Sequence, residues 1–361
     1  MTEATTVRPV PATMSAAVFM GVREVVVEER PVPVPAPGEL LLEVSHCGLC
    51  GSDLHFLLEW GGRPGVIEGH EYSGVVAAVG EGVSGWSVGD RAIGGPAKRC
   101  GECEYCRAGR RQLCAERGRV GAEETPWEGA FAGYTTAPAA EALRVPEGLS
   151  LKHAALAEPL AVSLHGITRA GGARPGTRWL ITGGGPIGFL SAAALLALGV
   201  DDVVVSEPKA NRRDLCARLG ATVVEPESLV VPPMPHDIVD EPFDVVLDCS
   251  GNGKAMETGL AQLKRAGRLV LVGAGMARPR FDPNRILLNE LEITGAFVYD
   301  EDGFERALEL LVSGRLPNDL LVEADVVPLD GLLDAAIALH EGDLAAKVMI
   351  VPQVRAGEGA R

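Results

Sequence analysis

The fold is decided by the stretch Trp179-Leu-Ile-Thr-Gly-Gly-Gly-Pro-Ile-Gly188, which joins an apolar strand to an apolar helix predicted to end near Leu198. Its loop fits the pattern G-x-G-x-x-G, in which glycines let the backbone turn tightly and approach a pyrophosphate at the positive end of the helix. Glu207 closes the next predicted strand about 20 residues further on, where this fingerprint has an acidic residue. The loop residues predicted to contact a dinucleotide are Gly183, Gly185, Pro186, Ile187 and Gly188.

Glu207 also bears on the choice of dinucleotide. A carboxylate there accepts hydrogen bonds from ribose hydroxyls and repels a 2′-phosphate, so the sequence favours NAD over NADP. Arg212 and Arg213 lie on the following predicted helix, where they either contact a phosphate or form an exposed helix face. Arg212 is therefore a candidate cofactor contact. The alternative for the whole region is an ordinary strand-to-helix turn and a solvated glutamate.

Predicted strands and helices alternate from about residue 177, as in a doubly wound parallel sheet. One of these helices is predicted near residues 255–266. Residues 16–146 instead carry short strands separated by turns rich in Pro and Gly. A helix at Gly303–Val312 and a strand at Lys347–Val351 follow, and the strand is expected to rejoin the first domain. The predicted fold class is therefore α/β, with a β-rich domain and a Rossmann coenzyme domain.

The domain boundaries are predicted from these changes of pattern. A polar segment rich in Pro and Thr precedes the first strand and is expected to be a disordered tail. The predicted divisions are the tail at 1–14, the β-rich domain at 15–162 and 297–361, and the Rossmann domain at 163–296.

A second signal is the stretch Cys100-Gly-Glu-Cys103-Glu-Tyr-Cys106, closed by Cys114, in a chain with eight cysteines. Gaps of two residues let successive thiolates converge on one tetrahedral Zn²⁺. A pair of disulfides would use the same four cysteines, but no signal peptide is expected to carry the chain to an oxidising compartment. The sequence therefore predicts a structural zinc lobe over about residues 96–116.

Residues of metal-binding type also occur in three separate stretches, Cys47-Gly-Leu-Cys50-Gly-Ser-Asp-Leu-His55, Gly69-His70-Glu71 and Ala157-Glu158-Pro159. Mixed ligands drawn from separate parts of a chain are typical of catalytic zinc, which keeps one position open for water or substrate. Cysteines in such stretches are often buried thiols, and a lone histidine is often a core residue. Each stretch alone is therefore a weak signal.

Composition excludes several classes of protein. The 361 residues suffice for two domains, and 47% hydrophobic with 23% charged residues is ordinary for a globular protein. The 33 basic and 49 acidic side chains give a net charge of −16, which repels nucleic acid and anionic lipid. Apolar runs are interrupted by Gly and Pro before they reach a membrane-spanning length. We expect a cytoplasmic protein with neither a nucleic-acid nor a membrane partner.

With these features in this order, the chain resembles the zinc-containing medium-chain dehydrogenase/reductase family over residues 14–352. The motifs around Cys50, His70 and Glu158 look most like its polyol branch, which includes sorbitol, threonine, butanediol and glucose dehydrogenases. The resemblance implies a GroES-like catalytic domain, formed by both chain ends around the coenzyme domain. It also implies an active site in the cleft between the two domains.

The resemblance makes Cys50 and His70 ligands of a catalytic Zn²⁺. The third protein ligand is either Glu71 or Glu158, directly or through water, because relatives in the polyol branch use either glutamate. Ordinary alcohol dehydrogenases have a cysteine near Glu158, and this sequence departs from them there. Two zinc ions per subunit are implied, one catalytic and one structural.

The implied reaction is hydride transfer from a secondary alcohol, polyol, cyclitol or sugar to NAD⁺, reversibly giving the ketone. By resemblance, Ser52 receives the proton of the substrate hydroxyl, and the cofactor ribose passes it towards His55. The alternative for Ser52 is a plain turn residue.

Two other functions stay open. One is a threonine- or amino-alcohol-type dehydrogenase built on the same residues, and the other is a catalytically silent zinc- and NAD-binding protein with a redox-sensing or structural role. A silent protein has no physical need for Cys50, Ser52, His55 and His70 together, so an enzyme is favoured. A homodimer or homotetramer is expected.

Overall fold

The computed structural model describes residues 9–61, 63–95, 99–116 and 128–352. The chain divides into two compact units. One runs to Glu158 and resumes at Val322, and the other is Pro159–Leu321. Both ends of the chain therefore belong to the first unit. Of the predicted N-terminal tail, residues 1–8 lie outside the described residues, and the first strand begins at Thr13.

The first unit is rich in short strands. Its elements before the chain enters the second unit are β1 (Thr13–Gly21), β2 (Glu24–Pro31), β3 (Glu39–Gly48), α1 (Gly51–His55), a π-helical turn (Phe56–Trp60), β4 (Val66–Ile67), β5 (Glu71–Val79), β6 (Arg91–Gly94), α2 (Glu104–Arg107), a 3₁₀ turn (Arg111–Leu113), β7 (Tyr134–Pro138), β8 (Leu143–Arg144) and α3 (Leu151–Ala154).

The long strands of this unit pair antiparallel around one apolar core. β3 pairs with β5 on one side and with β7 on the other, and β5 continues to β6 and β8. A smaller sheet has the strand order β2-β1-β4. Leu40, Leu42 and Val44 on β3 are buried in the core together with Tyr72 on β5. Because β3 and β5 are tied along their length, the loops at their ends are held in fixed positions.

The second unit alternates strands and helices. Its elements, beginning with the helix that crosses the division, are α4 (Ala157–Arg169), β9 (Arg178–Thr182), α5 (Pro186–Ala197), β10 (Asp202–Ser206), α6 (Ala210–Arg218), β11 (Thr222–Val224), a 3₁₀ turn (Pro226–Ser228), β12 (Phe243–Asp248), α7 (Gly253–Ala261), β13 (Leu263–Leu271), α8 (Pro283–Asn289), β14 (Glu292–Gly295), α9 (Gly303–Val312) and a 3₁₀ turn (Asn318–Leu320).

The six strands form one parallel sheet in the order β11-β10-β9-β12-β13-β14. This is the Rossmann order, with the switch point between β9 and β12. Leu180, Val204, Val246 and Leu269 from the four central strands are buried, as expected for a sheet covered on both faces. The predicted α/β fold class is confirmed.

One predicted helix ends earlier than expected. The sequence predicts a helix near residues 255–266, but α7 ends at Ala261 and β13 begins at Leu263. Leu263 pairs with Phe243 of β12, and Ala266 adopts a positive φ of 58°, which a continuing α-helix does not allow. Pairing in the sheet therefore outweighs the helical preference of this segment.

The last elements return to the first unit. They are β15 (Val327–Pro328), a 3₁₀ turn (Leu329–Gly331), α10 (Leu332–Glu341) and β16 (Met349–Val351). β16 pairs antiparallel with β3, so the predicted last strand does rejoin the first domain. In the described ranges, no helix combines the length and the apolar character needed to cross a membrane.

Candidate metal and dinucleotide sites

Three of the predicted catalytic-metal residues converge in the first unit. Cys50 immediately precedes α1, and His70 and Glu71 lie where β5 begins. One ligand atom from each residue lies within 4.8 Å of the other two. The pairing of Gly48 with Glu71 brings the end of β3, and therefore the loop that carries Cys50, to the start of β5.

The carboxylate of Glu71 fits a bound cation. It is 0% exposed, and its Oε1 lies 2.8 Å from the Nζ of Lys347, whereas its Oε2 has no hydrogen-bond partner among the described residues. A Cβ at Gly48 would collide with Oε2, so glycine is required there. An unpaired buried carboxylate oxygen is unfavourable unless a ligand satisfies it. Together with a thiol and an imidazole, it is a donor set that zinc accepts.

Lys347 was not predicted as a site residue. It is 1% exposed, and its ammonium also donates to the backbone carbonyl of Leu49 at 3.1 Å. Burial disfavours the charged form, but the charges of Glu71, Cys50 and Glu158 and the hydrogen bond to Glu71 together outweigh burial and raise the pKa of Lys347. The residue is thus held as a cation beside Glu71. It lies 276 positions away in the chain, and no local pattern could have indicated the pair.

Glu158 lies in the first turn of α4 and is buried, but its carboxylate is outside the group formed by Cys50, His70 and Glu71. Burial raises the pKa of Glu158 to about 7, although the charge of His70 opposes the rise. A carboxyl group in such a position is suited to hydrogen bonding as either donor or acceptor.

A further carboxylate, Asp53, lies behind His70. Its Oδ2 accepts a hydrogen bond from the N–H of Cys50 at 2.8 Å, and its Oδ1 lies 3.6 Å from the Nδ1 of His70. Burial opposes protonation of His70, but the charges of Asp53 and Cys50 raise its pKa well above the ordinary value. The 3.6 Å contact is longer than a hydrogen bond, so Asp53 acts on His70 through its charge. Asp53 was missed because the third position of a helix is also a usual capping position.

The two predicted proton carriers lie at opposite ends of α1. The hydroxyl of Ser52 is 3.5 Å from the Nε2 of His70, which places it beside the group formed by Cys50, His70 and Glu71. The Nδ1 of His55 instead lies 2.7 Å from the Oε2 of Glu59, and the His55 side chain is partly exposed. Ser52 can therefore reach a molecule at the site, and His55 lies partly exposed beside Glu59.

The four lobe cysteines, Cys100, Cys103, Cys106 and Cys114, also converge, with one sulfur from each within 4.8 Å of the others. The Sγ atoms of Cys100 and Cys114 are 3.5 Å apart. Backbone hydrogen bonds from Ala115 and Cys106 lower the pKa of Cys103 to about 6. Closely spaced thiols with access to the thiolate form fit a tetrahedral zinc site. Residues 96–98 of the predicted lobe lie outside the described residues.

The glycine loop joins β9 to α5. Gly183 has a φ of +94°, Gly185 immediately precedes the helix, and Pro186 is its first residue, followed by Ile187. A Cβ at Gly188 would collide with the carbonyl oxygen of Gly183, so the close contact of strand and helix requires glycine. The first N–H groups of α5 are left for a ligand, as in an anion-binding helix terminus.

Glu207 follows β10 and is 3% exposed. Its Oε2 accepts from the N–H of Gly184 at 2.7 Å, and its Oε1 accepts from the N–H of Lys209 at 2.9 Å. Each carboxylate oxygen can still accept a hydroxyl. Glu207 therefore lies against the glycine loop, at the place where an adenosine ribose is bound in this fold.

The two neighbouring arginines differ. Arg213 donates to the carbonyls of Glu207 and Pro208 and pairs with Glu225 at 2.7 Å. The guanidinium of Arg212 lies 3.7 Å from the place a Cβ would take at Gly185, over the glycine loop. Arg213 thus stabilises the turn, and Arg212 is the arginine that lies over the glycine loop.

Two protein-family models match this chain, one in each half. Residues 36–147 match the family model for the alcohol dehydrogenase GroES-like domain, and residues 186–313 match the model for zinc-binding dehydrogenases. The 2-dehydro-3-deoxy-L-galactonate 5-dehydrogenase of Pseudoalteromonas atlantica is 36% identical, over 84% of this chain and 89% of its own. The sorbitol dehydrogenase of Bacillus subtilis is 34% identical, over 95% and 98%.

Solved structures of dehydrogenases and reductases also match this chain over nearly its whole length. A zinc-binding dehydrogenase structure from Sinorhizobium meliloti, bound to NADP, is 30% identical, covers 95% of this chain and 100% of its own, and has a TM-score of 0.83. Acetophenone reductase from Geotrichum candidum, in complex with NAD, is 26% identical over 95% and 98%, with a TM-score of 0.82. Both dinucleotides thus occur among structures similar to this chain.

Proposed function

Because the chain belongs to the family of zinc-binding alcohol dehydrogenases with a GroES-like domain, we propose that it oxidises a secondary hydroxyl of a polyol, sugar or sugar acid to the ketone with NAD⁺. The observation that carries the proposal is the convergence of Cys50, His70 and Glu71 beside the hydroxyl of Ser52. The relatives named for sorbitol and for a 2-dehydro-3-deoxy sugar acid support a substrate with several hydroxyls.

We assign Cys50, His70 and Glu71 as the protein ligands of a catalytic zinc, and the four lobe cysteines as those of a structural zinc. Zinc would supply Lewis acidity at its open position, where it lowers the pKa of a bound hydroxyl. Asp53 lies 3.6 Å from the ring of His70, where its charge favours a cationic partner, and Lys347 donates a hydrogen bond to Glu71. Glu158 is then free to hydrogen-bond a second hydroxyl of the substrate, which suits a polyol better than a simple alcohol.

Ser52 accepts the proton of the substrate hydroxyl in this proposal, and His55 returns it to solvent. A nicotinamide dinucleotide would accept the hydride. The loop Gly183–Gly188 would hold its pyrophosphate, and Glu207 would hold its ribose. We further propose a cytoplasmic homo-oligomer, dimer or tetramer.

The proposal is tested by assaying purified protein with NAD⁺ and a panel of polyols, cyclitols, sugars, sugar acids and amino alcohols, following absorbance of the reduced nicotinamide. Turnover with a hydroxyl-rich compound and none with amino alcohols supports it. Turnover only with an amino alcohol would favour a threonine-type enzyme. Tight NADH binding without turnover of any compound would favour a catalytically silent protein.

Replacing Ser52 with alanine should lower kcat by about 10²-fold or more with the zinc content unchanged, because general acid–base transfer contributes factors of this size. His55→Ala should lower it less, since buffer replaces a group at the surface. Kinetics should be measured with a substrate deuterated at the carbinol carbon, so that hydride transfer is known to limit the rate.

Ser52→Thr is the matched control, because it keeps the hydroxyl and should retain most of the activity that Ser52→Ala loses. Unchanged turnover of Ser52→Ala, under conditions where the isotope effect shows that chemistry is rate-limiting, would exclude the proposed role of Ser52.

Cofactor choice should follow the negative charge of Glu207. The wild-type protein should have a higher kcat/KM for NAD⁺ than for NADP⁺, because the 2′-phosphate would meet the buried carboxylate of Glu207. Glu207→Ala should raise the KM for NAD⁺ by about tenfold, the scale of a lost hydrogen bond to a charged group. It should leave the KM for NADP⁺ unchanged or lower.

The double variant Glu207→Ala, Arg212→Ala tests whether the charge of Arg212, rather than a change in the shape of the glycine loop, favours NADP⁺ once Glu207 is gone. If Arg212 binds the 2′-phosphate once the carboxylate is gone, the double variant should lose any improvement with NADP⁺. A wild-type preference for NADP⁺ in steady-state kinetics would contradict the proposed role of Glu207.

A further inference from the structure

Asp248 is the last residue of β12 and is 0% exposed. It lies next to the switch point of the sheet, at the carboxyl edge where dinucleotides bind in this fold. Burial raises the pKa of its carboxyl group, although hydrogen bonds from Ser250 and Thr182 oppose the rise. The residue belongs neither to the glycine loop nor to the acidic position at Glu207.

The carboxylate of Asp248 joins two loops. Its Oδ1 accepts from the hydroxyls of Thr182 at 2.7 Å and Ser250 at 2.6 Å, and from the N–H of Ser250 at 3.4 Å. Its Oδ2 accepts from the N–H of Gly251 at 3.1 Å. Thr182 is the residue before the glycine loop, so one side chain connects that loop with the loop after β12.

The backbone of Asp248 holds a third loop. Its carbonyl oxygen accepts from the N–H groups of Val272 at 2.9 Å and Gly273 at 2.8 Å, which follow β13. The loops after β9, β12 and β13 are therefore tied to one residue. All three leave the same edge of the parallel sheet, because the three strands are adjacent and run in the same direction.

These loops also touch backbone to backbone. A Cβ at Gly183 would lie 3.0 Å from the Cα of Ser250, and a Cβ at Gly273 or Gly251 would collide with the backbone of the neighbouring loop. The loops therefore cannot move independently. The position of Gly183 depends on the position of Ser250, which Asp248 fixes through both its hydroxyl and its N–H.

We propose that Asp248 is a positioning residue that holds these three loops in the arrangement that binds the dinucleotide. The inference rests on the proposed function for the identity of the ligand. A carboxylate is needed because four donors converge on it, and an amide offers one acceptor and one donor group. In Asp248→Asn the amide nitrogen must face an N–H group of either Ser250 or Gly251, which repels the loop from its position.

The test is fluorescence titration of NADH with the purified, zinc-loaded wild type and Asp248→Asn, together with thermal unfolding and steady-state kinetics. We expect the Kd for NADH and the KM for NAD⁺ to rise by about tenfold, the scale of one buried donor left unpaired. The kcat at saturating NAD⁺ should stay within about threefold, because bound cofactor restores the loops.

Asp244→Asn is the matched control on the same strand. Its carboxylate also accepts a backbone hydrogen bond, from the N–H of Arg178 at 2.7 Å, but it lies at the amino end of β12. We expect it to lower the melting temperature without changing the Kd for NADH. If both variants weaken NADH binding equally, the effect is general destabilisation and the proposal is wrong.

Thr182 provides a second pair of variants that does not alter the buried charge. Thr182→Val removes the hydroxyl bonded to Asp248 and should weaken NADH binding, whereas Thr182→Ser keeps that hydroxyl and should restore it. This pair decides the matter if Asp248→Asn does not fold. If Asp248→Asn folds, a Kd for NADH within twofold of wild type would overturn the proposal. If Asp248→Asn does not fold, the same result for Thr182→Val would overturn it. A wild type that binds neither NADH nor NADPH would instead remove the proposed function, and this inference with it.

Discussion

Replacing His70 with alanine is expected to lower kcat/KM by about 10³-fold or more and to leave the melting temperature within a few degrees of wild type. A catalytic metal supplies several kcal/mol of transition-state stabilisation, and each 1.36 kcal/mol is a factor of ten in rate. His70 is one of three side chains in the proposed catalytic set, and its neighbours in β5 are held by the sheet independently of the metal. Steady-state kinetics measure the change in kcat/KM, and differential scanning calorimetry measures the melting temperature.

Elemental analysis should find about two zinc ions per wild-type chain and about one in His70→Ala. The control is His46→Ala, a partly buried histidine on β3 that contacts Ser45 and lies outside the metal-type groups. It should keep both ions and most of the turnover. Full activity in His70→Ala, or one zinc in the wild type, would contradict the assignment.

Replacing Cys103 with serine is expected to have the largest effect on stability, lowering the melting temperature by about 10 °C or more. The free energy of metal binding at a structural zinc site is also free energy of folding, and apparent values reach about 10–16 kcal/mol in small zinc domains. At an unfolding entropy of about 2.1 cal/mol/K per residue, a 10 °C shift in a chain of 361 residues corresponds to a loss of about 8 kcal/mol, which is less than this binding free energy. Calorimetry measures the shift, and elemental analysis should show one zinc lost.

Cys216→Ser is the matched control for Cys103→Ser. Cys216 is a buried thiol in the second unit, outside both metal-type groups, so its replacement should cost only packing and leave the zinc content unchanged. If His70→Ala unfolds the protein, and Cys103→Ser abolishes turnover without lowering the melting temperature, the structural and catalytic assignments are reversed.

The parts of the fold that the sequence predicts are those whose cause is local. The glycine loop, the strand before it and the helix after it lie within about 20 residues, and the four lobe cysteines lie closer still. The family and the α/β class followed from the order of these pieces, and both are confirmed. The helix predicted to reach residue 266 was the exception, because strand pairing at Leu263 is a long-range effect.

The parts of the candidate site that the sequence does not indicate depend on distant contacts. Lys347 meets Glu71 only because β16 pairs with β3, and Asp248 meets Thr182 only because β12 lies beside β9. Asp53 was within a quoted motif but had a simpler explanation as a helix cap. The roles of Ser52 and His55 and the choice of third zinc ligand stay predictions, because they depend on bound molecules. The substrate is undetermined by sequence for the same reason.

The pairing of β16 with β3 also sets an order of events during synthesis. Glu71 and Lys347 are 276 residues apart, which at about 5–20 residues per second corresponds to roughly 15–55 s of translation. During that interval the second unit can be completed, whereas the carboxylate of Glu71 has no ammonium beside it and β3 lacks its neighbour. The nascent chain therefore carries Cys50, His70 and Glu71 without Lys347 until β16 has been synthesised and has paired with β3. Stable capture of the proposed catalytic ion is expected only after that pairing.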